Sequence, residues 1–293
     1  MLNTHLGETV RKYHPRFDSP HAKVILRSRE GTLYRTSAFT LRNTSGYFRN
    51  LLPPAQHQTQ TTHQQENPIL IDASDTTLEL VLRMLCGLET AIWTATFDEL
   101  EDAVVLIERW DTAGPLSIIR SAITAPPFHA ESLRLYALAT RLGWEEEAQL
   151  ASTHTLSLSL HDEDHTPRLE QLKSKHLLSL SRLHRSRRDM FKHALDTHVT
   201  FSHANSPRTI CQRCQLQEID NYPWRELKMR MFMEMDRRPL GDTIGSLDME
   251  EWAESVVCWG ARCPKEQCSG LYYDKRVMMR SIMSCLVGLP LTV

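Results

Sequence analysis

The chain lacks several features that mark enzymes and membrane proteins. It has no glycine-rich phosphate-binding loop, no Ser-His-Asp order typical of a hydrolase, and no paired carboxylates in an apolar setting. Its longest weakly polar run, Ser281 to Val293, is too short to span a bilayer. We therefore expect a non-enzymatic protein with no membrane segment and no small-molecule substrate.

Net charge and export signals are also missing. The 34 Lys and Arg residues nearly balance 36 Asp and Glu residues, so overall charge does not support binding to nucleic acid or to an acidic membrane. The first residues, MLNTHLGETVRKYHPRF, contain no apolar stretch of the kind found in signal peptides. Seven cysteines are an odd number for a disulfide framework. These features predict a reducing compartment, cytoplasmic and/or nuclear.

The N-terminal part of the chain alternates short β-prone and helical stretches. Residues 1–19 are predicted to be a polar leader, and residues 53–67, rich in glutamine, a flexible loop. Hydrophobic periodicity predicts strands at 23–28, 32–36 and 68–72, and helices at 37–43, 45–52, 76–88, 97–110 and 116–123.

The tandem prolines Pro126-Pro127 are the predicted domain boundary, since prolines interrupt helices. Beyond them the pattern is almost wholly helical. We predict helices at 131–150, 168–196, 224–238, 247–258 and 274–288.

Five pieces of the N-terminal part occur in a recognisable order. They are Phe17-Asp18-Ser19-Pro20, Val24 to Ser28 with Gly31, Leu41 with Ser45, Tyr47, Phe48 and Leu51, Ile69-Leu70-Ile71, and Leu82 with Leu85, Cys86 and Gly87. Together with the order hairpin, two short helices, third strand and further helices, they resemble the BTB (POZ) domain, over roughly residues 17–123. The chain departs from many members of that family at Lys23 and at Ser37-Ala38, where charged residues are common.

The rest of the chain resembles the helical, cysteine-containing extension of many fungal BTB proteins. The likeness lies in residues 133–151, in His184 to Asp189 and in the later cysteines. The resemblance implies an α+β fold: a BTB/POZ-like domain at 20–125 with a short three-stranded sheet covered by helices, then a mainly α-helical domain at 126–293. It also implies an adaptor or scaffold whose partner is a second copy of the chain or a cullin-type ubiquitin-ligase subunit.

The second short helix carries several large apolar residues. These are Tyr47, Phe48, Leu51 and Leu52. They are too many for a solvent-exposed helix, so they belong either to the core of the domain or to an interface with a partner.

Cysteines in the C-terminal half form a candidate structural zinc site. Cys211 and Cys214 have the two-residue gap that allows both thiolates to bind one tetrahedral ion. Cys258 and Cys263 are chosen to complete the set, with Cys268 as the alternative. Reduced, unliganded thiols are the other interpretation.

A basic stretch on the long predicted helix suggests an alternative function. Its residues are Arg182, Arg185, Arg187, Arg188 and Lys192. With the cysteine cluster, they would suit a nucleic-acid-binding regulator. A solvated helix face on a nearly neutral chain is the more ordinary interpretation, and it argues against nucleic acid as a partner.

Overall fold

The structure is a computed structural model, and it describes residues 12–52, 67–90 and 92–293. The chain divides into two compact units, Met1–Phe128 and His129–Val293, directly after the tandem prolines. Helices and a small sheet together confirm the α+β class. Most of the predicted leader and the glutamine-rich loop, at 1–11 and 53–66, lies outside the described residues.

The first unit contains a three-stranded sheet in the order β2-β1-β3. Strands β1 (Val24–Arg27) and β2 (Leu33–Thr36) form an antiparallel hairpin, and β3 (Ile69–Leu70) pairs in parallel with β1. Gly31 turns the hairpin with a φ of 92°, a conformation that glycine adopts without steric cost. The predicted order of hairpin, helices and third strand is therefore present.

Residues 12–17, predicted to be leader, are instead part of the first unit. Tyr13 forms a parallel bridge to Leu33 at the edge of β2. The His14 ring stacks on Tyr34 with 5.0 Å between ring centroids, and Phe17 is buried beside the same tyrosine. Aromatic burial outweighs the polar composition of this segment.

Among the described residues of this unit, five α-helices accompany the sheet. They are α1 (Ala38–Thr44), α2 (Gly46–Leu51), α3 (Asp75–Leu85), α4 (Phe97–Trp110) and α5 (Ala113–Ala122). Helix α2 is joined to the end of α4 through its cap: Ser45 accepts the Phe48 N–H and donates its own hydroxyl to the Trp110 carbonyl at 2.6 Å. The sequence prediction of α4 matches its observed bounds, because its amphipathic period and Thr96 capping box agree.

The second unit is mainly helical. Its elements are α6 (Ser132–Leu142), α7 (Glu145–Thr155), α8 (Thr166–Leu169), α9 (Ser174–Thr197), α10 (Ser202–Asn205), β4 (Arg208–Ile210), β5 (Glu218–Asp220), α11 (Tyr222–Arg237), α12 (Leu247–Glu251), α13 (Ala253–Gly260) and α14 (Lys275–Val287). Within the described ranges, no helix has the length and apolar character needed to cross a bilayer.

Several predicted helices of this unit are divided. The prediction of one helix at 131–150 was wrong, because Gly143 ends α6 in the left-handed conformation with a φ of 73°.

The stripe of Trp224, Leu227, Met231 and Met235 on α11 is fully buried, as its spacing indicated. Strands β4 and β5 were missed, since each is only three residues long.

Arg187 on α9 is buried in the second unit. Its guanidinium donates to the carbonyls of Pro239 at 2.7 Å and Leu240 at 3.1 Å, and to those of Leu289 at 3.3 Å and Pro290 at 2.6 Å. These hydrogen bonds join α9, which carries Arg187, to the irregular segment after α11 and to the irregular segment after α14. The charge is compensated by carbonyl dipoles rather than by solvent.

His184, one turn before Arg187 on α9, is buried as a neutral base. Thr155 donates its hydroxyl to the Ser152 carbonyl at 2.7 Å, which leaves its oxygen to accept the His184 Nε2–H at 3.1 Å. Burial, assisted by the neighbouring Arg187 charge and by His161, lowers the pKa of His184 to about 4.

We predict a pH-dependent loss of stability at this histidine. The pKa of His184 in the folded state lies below its value in the unfolded chain. The contribution of His184 to the free energy of unfolding is therefore complete above about pH 6.5 and is lost as the pH falls toward 4. The free energy of unfolding should fall by about 3 kcal/mol across this interval. Urea unfolding of wild type and His184→Gln at several pH values measures it. Equal pH dependence in both proteins would contradict the prediction.

Candidate metal centre

The hairpin of β4 and β5 presents the first two cysteines at its tip. Cys211 directly follows β4, and its N–H donates to the Gln217 carbonyl at 2.8 Å. The Gln215 N–H then donates to the Cys211 carbonyl at 2.8 Å, and Gln215 has a φ of 51°. This tight turn brings Cys214 back beside Cys211, so that their Sγ atoms lie within 4.8 Å of each other.

Backbone N–H groups of the same loop point at these sulfurs. The N–H of Cys214, with that of Arg213, lowers the pKa of the Cys211 thiol. The N–H groups of Leu216 and Gln217 lower the pKa of Cys214 to about 6. Hydrogen bonds to the ionised form favour thiolates, and thiolates are the species that bind metal.

A second loop carries Cys263 and Cys268. An antiparallel bridge between Arg262 and Leu271 closes it, and the Cys263 N–H donates to the Gly270 carbonyl at 2.9 Å. Inside the loop, the Cys268 N–H donates to the Lys265 carbonyl at 2.8 Å. Both loops are therefore small backbone-bonded turns with two cysteines each.

Glycine at position 270 allows the two loops to pack closely. A Cβ atom there would lie 2.7 Å from Cδ of Arg213, which belongs to the first loop. The Arg213 side chain therefore packs across Gly270. Contact between Arg213 and Gly270 was not predicted from the sequence, where a glycine directly after Cys268-Ser269 was the available signal.

Four sulfurs meet where the loops pack. The Sγ atoms of Cys211, Cys214, Cys263 and Cys268 all lie within 4.8 Å of one another. The Sγ atoms of Cys211 and Cys268 are 3.8 Å apart, and those of Cys214 and Cys263 are 3.9 Å apart. A tetrahedral ion with metal–sulfur bonds of about 2.3 Å separates its ligands by about 3.8 Å. The four cysteines could therefore hold a metal ion.

Electrostatics of the cluster also favours a cation. Burial raises the pKa of Cys263 to about 12, in contrast to the lowered values of Cys211 and Cys214. Several thiolates this close repel one another, and a divalent ion at their centre allows all four to ionise together.

Cys258, predicted to be a ligand, lies elsewhere. It is on α13 and packs in the helical core with residues such as Trp224 and Tyr273. Burial raises its pKa to about 12. The alternative residue Cys268 takes the fourth position. The regular spacing of Cys258, Cys263 and Cys268 does not show which of them are ligands. The structure separates them, because α13 continues to Gly260 and directs Cys258 into the core.

The predicted apolar cluster on α2 divides between core and surface. Phe48 is fully buried, with its ring edge-on to Trp110 at 4.9 Å between centroids, so it belongs to the core. Leu52 is partly buried, whereas Tyr47 and Leu51 are exposed. Phe39 on α1, which sequence analysis did not select, is 75% exposed.

The predicted basic patch on α9 is not a continuous surface. Arg187 is buried, as described above, and Arg188 binds Asp236 at 2.6 Å and lies over the Phe232 ring. Lys192 also lies over that ring. Arg182 and Arg185 are exposed.

Comparison with known proteins finds no matching family model and no matching curated protein. The class of protein therefore follows from fold and site alone: an α+β unit, then a helical unit with a four-cysteine cluster suited to a metal ion.

Proposed function

We propose that the chain is a non-enzymatic interaction adaptor. Its first unit, BTB-like, associates with a second copy of the chain, and its second unit is held together by one structural zinc ion. A cullin-type ubiquitin-ligase subunit is the other partner that the BTB resemblance implies.

The zinc proposal is supported by the ligand set. Thiolates are soft ligands that select zinc over magnesium or calcium, and four of them complete a tetrahedron. Such a site has no open position for a water molecule or a substrate. The metal therefore joins the two cysteine loops, at 211–214 and 263–268, and has no catalytic role.

The adaptor proposal is carried by exposed apolar side chains on the short helices of the first unit. Phe39 on α1 is 75% exposed, and Tyr47 and Leu51 on α2 are 39% and 47% exposed. Large apolar groups exposed on adjacent packed helices are typical of a surface that a partner covers. The element order and the parallel pairing of β3 with β1 support the BTB-like assignment.

We predict that charge on this surface prevents self-association. Phe39→Glu with Leu51→Glu should raise the dissociation constant of the dimer at least about tenfold, because burying an unpaired carboxylate costs more than about 1.4 kcal/mol. Sedimentation velocity of the full chain measures the change. Asn43→Glu with Asn50→Glu, at exposed polar positions of the same helices, is the matched control. A monomeric wild type would overturn self-association.

The nucleic-acid alternative has less support. Arg187 is buried and Arg188 is neutralised by Asp189 and Asp236, so phosphates would meet only part of the predicted patch.

A further inference from the structure

Solvent access is unequal among the four clustered cysteines. Cys211, Cys263 and Cys268 are 2%, 4% and 8% exposed, so their side chains are shielded by protein. Cys214 is partly exposed at the tip of the β4–β5 hairpin. Cys214 is therefore the cysteine of the cluster that is most accessible to a small solute.

Cys214 also has a second sulfur within reach. Its Sγ atom lies 3.9 Å from Sγ of Cys263, which is 49 positions away in sequence and belongs to the other loop. A disulfide requires about 2.05 Å between sulfurs, so the two loops need to move only slightly to form one. A partly exposed cysteine beside a shielded one is the arrangement of an attacking and a resolving cysteine.

We propose that Cys214 is a site of oxidation by peroxides, and that its modification releases the metal ion through a disulfide with Cys263. The inference rests on the proposed metal centre. It adds that the oxidised protein loses its metal but keeps its two cysteine loops covalently joined.

The chemistry balances with one peroxide per disulfide. The Cys214 thiolate attacks the peroxide O–O bond, which gives a sulfenic acid and hydroxide. The Cys263 thiolate then attacks the Cys214 sulfur, the S–S bond forms, and a second hydroxide leaves. Two electrons pass from the sulfurs to hydrogen peroxide, and two protons from solvent convert the hydroxides to water. Only Cys211 and Cys268 remain as metal ligands, and the ion dissociates.

Peptide mapping after peroxide treatment tests this directly. Trypsin cleaves after Arg208, Arg213, Arg262 and Lys265, so each of the four cysteines lies on a different peptide. The metal-loaded full chain is treated with hydrogen peroxide at about one equivalent, and a chromogenic chelator follows zinc release. Remaining thiols are alkylated before digestion without reductant.

The expected result is release of about one zinc ion per chain together with a linked pair of peptides, 214–225 with 263–265. A link between Cys211 and Cys214, or zinc that stays bound under the same treatment, would overturn the inference but not the metal centre. Purified protein that contains no metal would overturn the metal centre, and the inference with it.

Matched variants identify the attacking sulfur. Because Cys214 is itself a proposed ligand, Cys214→Ser is used only for peptide mapping: after peroxide treatment it should contain no disulfide between the remaining cluster cysteines, whereas Cys86→Ser should form the 214–263 link and release zinc as wild type does. Cys86 is also partly exposed but lies outside the cluster. Peptide mapping of the wild type at limiting peroxide tests the proposal without any variant, because it identifies the cysteine that is oxidised first. Oxidation of a cysteine other than Cys214 in that experiment would contradict the proposal.

Discussion

Cys268→Ala is expected to abolish metal binding, whereas Cys258→Ala should leave it intact. Cys268 contributes one of the four clustered sulfurs, and three thiolates leave a structural site open to water and ligand loss. Cys258 lies in the helical core, so its replacement removes a small buried group and should cost about 1–2 kcal/mol of stability. Elemental analysis of the purified variants measures about one metal ion per chain for wild type and Cys258→Ala.

Loss of the ion should also change the folding of the second unit. Structural zinc contributes its binding free energy to folding, so Cys268→Ala should unfold at a lower temperature than Cys258→Ala. Treatment of wild type with a strong chelator should reproduce the Cys268→Ala transition. If Cys258→Ala loses the metal and Cys268→Ala keeps it, the ligand set described here is wrong.

Arg187→Met is expected to lower the free energy of unfolding by about 3–5 kcal/mol. The methionine retains much of the apolar stem but loses the guanidinium, which leaves four carbonyl acceptors without their donor. These belong to Pro239, Leu240, Leu289 and Pro290. Urea unfolding followed by circular dichroism measures the loss.

Arg185→Met is the control for this substitution. Arg185 is exposed on the same helix, so its replacement should change stability by less than about 0.5 kcal/mol. A loss below about 1 kcal/mol in Arg187→Met would mean that solvent, rather than the guanidinium, satisfies those carbonyls.

Local pattern was sufficient for much of the secondary structure. The amphipathic period of α4 predicts its bounds, and the stripe of Trp224, Leu227 and Met231 predicts the buried face of α11. Element bounds were wrong where one residue changes the backbone direction. Gly143 is the example, since nothing in the surrounding apolar period marks its left-handed conformation.

The metal centre was only half predictable. A two-residue gap places Cys211 and Cys214 on one tight turn, which is a local property. Their partners come from a loop about fifty residues later, and α13 decides that Cys258 points into the helical core. The spacing of the cysteines does not show where helix α13 ends, and therefore does not show which cysteines lie on the helix and which lie in the loop after it.

Sequence alone determined the α+β class, the helical second half and the cysteine pair that begins the metal centre, because these depend on neighbours within a few residues. Only the tertiary structure decided that Cys268 completes the cluster, that Phe48 is core and that Arg187 is buried. Each of these depends on contacts between segments distant along the chain. Such contacts arise when whole helices and loops pack to bury apolar surface and satisfy backbone polar groups, and residue type and spacing do not specify them.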